Sequence, residues 1–166
     1  MSLYQFLASN EPIKEKINPY IEHLSVNDMI ERGMEVPFNL VNHTINPDEK
    51  IILWCDTEEH MDEIQILHQE EMPYPDVEKF TNKPYIATLS WRYTDMRAEE
   101  LIQYLKEALS GDSELVELEL WQIWLADSID GLKVHEFNLN DLSVSVLREH
   151  LGQNHFEHPV CMKIRL

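Results

Sequence analysis

The chain has 166 residues, 43% of them apolar, with 31 acidic against 13 basic side chains and a formal net charge of −18. That length fits one ordinary domain, and that apolar content excludes a disordered chain. The charge repels phosphate backbones and anionic lipid, which excludes nucleic acid and membrane as expected partners and suits a basic protein.

The acidity runs through the whole sequence: residues 1–83 carry −11 and residues 84–166 carry −7. Cys55 and Cys161 are the only cysteines, too few for a disulfide framework or a four-cysteine metal site. Met1-Ser2-Leu3-Tyr4 lacks the basic start of a signal peptide, and no apolar run has the length of a membrane span. A soluble, cytoplasmic protein is the expectation.

Leu3 to Ala8 is an apolar stretch and a first strand, broken by Asn10-Glu11-Pro12. Tyr20 to Leu24 reads as a second strand. Ser25 and Asp28 have the spacing of a capping box, and Gly33 stands where a C-cap glycine belongs, which predicts a short helix over 26–32. Asn46-Pro47-Asp48-Glu49 is a turn by composition, and Ile51 to Cys55 follows as a buried strand. Residues 56–63 hold five acids and one histidine, which predicts a solvated turn or a frayed helical start. Ile64 and Ile66 begin a strand to about His68, and an irregular segment runs from Met72 to Pro84.

In the second half, Tyr85 to Trp91 alternates as a strand. Thr94 caps a helix whose stripe is Leu101, Ile102, Leu105, Ala108 and Leu109, and Gly111 stops it. Leu115 to Leu125 is a strand whose alternation changes phase near Trp121, as a bulge would make it. Leu132 to Phe137 is another strand. Asn138 or Asn140 caps a second helix through Leu142, Val146, Leu147 and Leu151, ended by Gly152. Val160 to Leu166 is the last strand.

The order β-α-β-β-α-β over residues 85–166 resembles the ferredoxin-like topology. That resemblance implies a mainly antiparallel α+β sheet with both helices on one face, the last strand beside the first, and the N-terminal half packed against it. The expected organisation is a single domain over 1–166, with 1–83 and 84–166 as candidate subdomains. Ferredoxin-like sheets often pair through an edge or a face, so a homodimer stays open.

Alternation then sorts residues by face. The helix-free face is expected to gather Arg92, Lys133, Lys163 and Arg165, with His135 and Cys161 beside them. Those cations either form an anion or partner site, or are neutralised by acids such as Glu117 and Glu119 beneath a covering segment. Trp121 and Trp124, at the phase change, are the candidate interface aromatics.

The acids of 56–63 match no metal-loop pattern and read as a solvated hairpin tip. His150, His155 and His158 could bind zinc, but Asn154 and Pro159 indicate an irregular loop, so chance clustering is the expectation. A mid-strand Cys161 with His135 lacks the setting that lowers a thiol pKa. No phosphate loop or nucleophile elbow is present. No catalytic residue, metal or cofactor is therefore assigned. The leading expectation is a non-catalytic module that binds a basic protein, a toxin-neutralising or immunity-type role being one form of it. The alternatives are a regulatory domain for a small anionic ligand and a metal-assisted hydrolase.

Overall fold

A computed structural model describes residues 3–41, 46–68, 77–110, 115–124, 128–152 and 157–166. The chain is mixed α+β and forms two compact units, one of residues 1–17 with 63–166 and one of residues 18–62.

The larger unit is built on a six-stranded sheet. Its strands are β1 (Leu3–Ser9), β4 (Gln65–His68), β5 (Tyr85–Ser90), β6 (Glu117–Trp124), β7 (Lys133–Asn138) and β8 (Val160–Arg165). The spatial order is β4-β5-β1-β6-β8-β7, antiparallel throughout except for the parallel pair β7–β8. Two helices, α4 (Asp95–Ser110) and α5 (Val144–Leu151), cover one face. Leu101 and Leu105 of α4 and Leu147 of α5 are fully buried there against Leu7, Leu118, Leu120 and Met162. Thr94 caps α4 by accepting from the Arg97 amide, as its sequence predicts. Ser143 caps α5, accepting from the Val146 amide, while Asn138 precedes, and Asn140 lies within, a short 3-10 turn over Leu139–Asp141. The cap moves because that turn uses up three residues between strand and helix.

The ferredoxin-like strand order does not occur. The chain order strand-helix-strand-strand-helix-strand is present, but β1 lies between β5 and β6, and β8 lies between β6 and β7. The first and last strands of the expected motif are thus not neighbours. The physical reason is burial on two faces. β1 buries six of its seven residues and β8 buries Val160, Cys161, Met162 and Ile164, so both take inner positions. β7 exposes four of its six residues and takes an edge. Since β1 belongs to the first half of the sequence, residues 1–83 and 84–166 are not separate subdomains.

The bulge expected in β6 is also absent. Its register is continuous, with Ser9 opposite Leu118 and Leu3 opposite Trp124. The change of phase at Trp121 comes from cover on both faces. Leu118 and Leu120 face the helices, and Trp121 and Ile123 face a second apolar cluster with Tyr4, Phe6 and Phe80.

The smaller unit contains β2 (Glu22–Leu24), α1 (Val26–Glu31), α2 (Phe38–Val41), β3 (Ile52–Trp54) and α3 (Glu58–Met61). β2 and β3 form a two-stranded antiparallel ribbon. Both halves of the predicted capping box are present, the Ser25 hydroxyl accepting from the Asp28 amide and the Asp28 carboxylate from the Ser25 amide. Gly33 follows with φ of 69°, a conformation that favours glycine. Buried Asn18 accepts from the Tyr20 amide and donates to the His60 carbonyl, which ties the start of this unit to its end.

Replacing Leu105, which contacts no solvent, with alanine is expected to lower the unfolding free energy of the larger unit by about 2–5 kcal/mol. Leu166→Ala, at an exposed position, is expected to stay within about 0.5 kcal/mol in the same denaturant titration.

Candidate functional site

The helix-free face of the sheet is not bare. Residues 77–84 lie along it, beginning with a 3-10 turn over Val77–Lys79, and Val77 and Phe80 are buried in its apolar cluster. Phe80 meets the Trp121 ring edge-on at 5.9 Å, and Phe6 stacks on Trp121 at 5.8 Å. Shallow clefts flank the segment. One, of about 410 Å³, lies between Val77, Asn82, Pro84 and Ile86. The other, of about 370 Å³, is lined by Phe80, Thr81, Glu119, Trp121, Leu132 and Lys163.

Glu119 is the hub of this face. It sits in β6, an inner strand, and is only 5% exposed. An unpartnered carboxylate at that depth would cost several kcal/mol, of the order given for buried ions. Here Oε2 accepts from the Thr81 hydroxyl at 2.7 Å and from the Trp121 indole N–H at 2.9 Å, and Lys163 Nζ stands 3.7 Å from Oε1. Two residues earlier on the same face, Glu117 accepts from Lys83 Nζ at 2.9 Å and from Arg165 Nε at 2.6 Å. Arg165 also reaches Glu136 of β7 at 3.3 Å. The hydrogen bonds from Lys83 and Arg165 hold the Glu117 carboxyl below its usual range.

The expected basic cluster is therefore only partly assembled. Lys163 and Arg165 share the helix-free face, each beside a carboxylate. Lys133 and His135 do not join them. The parallel register sets Lys133 opposite Val160 and His135 opposite Met162, on the helix side, and turns Val134 and Glu136 to the other face. The assignment inverts because it took apolar residues to mean the helix side, whereas Leu132 packs into the second apolar cluster. His135 instead meets His150 of α5, ring centroids 4.3 Å apart. Burial first, and the charge of His135 second, lower the pKa of His150. Arg92 lies two residues beyond β5, at the Trp124 end of the sheet, while Arg165 pairs with Glu117 at the opposite end.

Trp121, expected at an interface, is 3% exposed and belongs to the core; Trp124 is half-buried at the end of β6. Cys161 is fully buried, and that burial, with the charge of Glu119 as the next cause, pushes its thiol up to about 12. A thiol so placed is neither ionised nor reachable, so it has no nucleophilic role here.

Among the described residues, no group of three or more His, Cys, Asp or Glu side chains converges as metal ligands. Within residues 56–62, the Asp56 carboxylate accepts from His60 Nδ1 at 2.7 Å, which lowers its pKa, and Tyr20 stacks on the His60 ring at 4.0 Å. Glu63 instead forms a 2.9 Å ion pair with the buried Arg97. His155 lies outside the described residues. No described helix is long and apolar enough to cross a membrane.

The alternating Glu117 and Glu119 were visible in the sequence as partners for Lys163 and Arg165. Thr81 and Lys83 were not, because they lie in irregular chain with no periodicity to place them. Comparison of the chain with protein-family models, with curated proteins and with solved structures returned no match.

Because the Glu117 pKa is lowered on folding, its contribution to stability is present above the ordinary glutamate range and is lost as pH falls through the folded value. Glu117→Gln is expected to cost about 1 kcal/mol at pH 7 and progressively less as pH falls below the ordinary glutamate range, so chemical denaturation of the two proteins should converge on acidification. In the native protein a thiol reagent is expected to modify Cys55, which is half-buried, and to spare Cys161 until denaturant is added. Rapid native labelling of both would contradict the burial of Cys161.

Proposed function

We propose that the chain is a cytoplasmic, non-catalytic protein-binding module whose acidic surface recognises a basic partner. One observation carries this reading: the cations on the helix-free face are engaged by carboxylates of the same face, in a chain whose formal net charge is −18. Lys83, Lys163 and Arg165 are held by Glu117 and Glu119, which speaks against an anion-binding site there. The acids of the larger unit's exterior, among them Glu99, Glu107, Asp130 and Glu149, are exposed.

Exposed charge of one sign acts at long range, so it raises the association rate more than it strengthens the final complex. A basic enzyme held inactive by a tightly bound acidic protein is one form such a partnership takes. Affinity capture from the source cell, followed by reconstitution with the purified partner, tests the reading. The association rate is expected to fall by about tenfold or more from 50 mM to 500 mM salt, with a smaller change in dissociation, as electrostatic steering requires. A partner lacking a basic contact surface, or a salt-independent association rate, overturns it.

A further inference from the structure

We infer that the ribbon of the smaller unit is the docking site for an extended, basic segment of the partner, in which lysine or arginine alternates with apolar residues. This inference rests on the basic-partner reading and gives it a location.

Residues 18–62 contain ten acids and two bases, a net −8 in 45 residues, whereas the other 121 residues carry −10. The smaller unit thus has more than twice the net negative charge per residue of the larger one. It also exposes apolar surface. The run Ile51 to Cys55 reads from sequence as a buried strand, yet Ile51 is 47% and Leu53 49% exposed. The cause is one-sided cover. Leu24, Ile52 and Trp54 share one ribbon face, where Leu24 is buried and Arg32 lies over the Trp54 ring, at 5.8 Å from its centroid. Leu53, opposite His23, points to the other face, and both are exposed.

A two-stranded sheet has two outer edges, and among the described residues neither β2 nor β3 pairs with a further strand. Open strand edges beside exposed apolar side chains are what an added strand needs: main-chain hydrogen bonds supply affinity, and alternate side chains supply specificity. The charge selects the occupant. An acidic segment is repelled by the unit's ten acids, and a neutral one gains nothing from them. A basic segment with apolar residues at every second position sets one side against Leu53 and the other toward carboxylates.

The test uses the full chain and a defined probe, the blocked heptapeptide Lys-Val-Lys-Val-Lys-Val-Lys, with the glutamate-valine and lysine-serine peptides as controls. Backbone amide shifts are followed by NMR. The lysine-valine peptide is expected to move the amides of residues 21–24 and 51–55, and both controls to bind far more weakly. Leu53→Ser is expected to weaken binding about tenfold, near the value of one buried leucine side chain. Val116→Ser, a similar change at an exposed position of the larger unit, is expected to alter it less than about twofold. Both sites are on the surface, so both variants should fold. Shifts confined to the larger unit, or an unchanged Kd for Leu53→Ser, overturn the ribbon site while leaving the basic-partner reading standing. Absence of any binding by the lysine-valine peptide also overturns the ribbon site, and the salt dependence of the reconstituted complex then decides the wider reading alone.

Discussion

β1 lies between β5 and β6, hydrogen-bonded to both, and much of the larger unit follows from that placement. It makes a strand from the start of the chain an inner member of a sheet otherwise drawn from residues 65–165. β1 pairs with β6 from Leu118 to Trp124, which makes β6 an inner strand. It also separates β5 from the strands that a ferredoxin-like order would set beside it. With that place filled, β8 pairs with β6, and the chain leaves edge strand β7 through α5 and returns as β8, parallel to it. A parallel return of this kind needs a crossover, and α5 supplies it on the helix side.

A sheet covered on both faces changes what alternation can reveal. Local signals held: the capping box at Ser25, the stripe of α4 and the glycine at residue 33 each depend on neighbours within a turn or two. The order of strands depends on pairings between residues far apart in sequence, and no local pattern encodes it. Where an apolar cluster lies on each side, an apolar residue no longer points to one face. Val134 and His135 show the result. The apolar one faces away from the helices, the polar one toward them, and the assignment of Lys133 and His135 reverses. On β8 and β6 the assignment was correct because Lys163 and Arg165 alternate with residues that all belong to the helix-side core.

The charges on the helix-free face show how an acidic protein uses its few bases. Glu117 and Glu119 lie on an inner strand, where burial raises the cost of each charge. Thr81 and Lys83 come from the segment above the sheet, and Lys163 and Arg165 from the strand beside it. Donors from two parts of the chain meet at two carboxylates, so the pairs fix the covering segment against the sheet as well as balancing charge. Removing one acid leaves several donors without a partner, which is why such pairs weigh more when broken than when formed. Bases held in this way already have carboxylate partners on the protein's own surface.

The smaller unit follows the opposite economy. Among its described apolar residues only Leu24 and Met29 are buried, whereas Tyr20, Ile30, Phe38, Leu53 and Met61 are all at least 46% exposed. A core of that size contributes little, and units of about 45 residues are hard to stabilise by apolar burial alone. Polar devices do much of the holding: the capping box, the two hydrogen bonds of Asn18, and Thr57 accepting from the His60 amide at the start of α3. Ten acids in the same segment oppose compaction by mutual repulsion. A basic, partly apolar partner relieves both deficits, because it neutralises the repulsion and covers the exposed side chains. Binding to the folded form then also stabilises it, by an amount that grows with partner concentration. The features that make this segment a weak folding unit are therefore the ones on which the proposed docking of a basic strand rests.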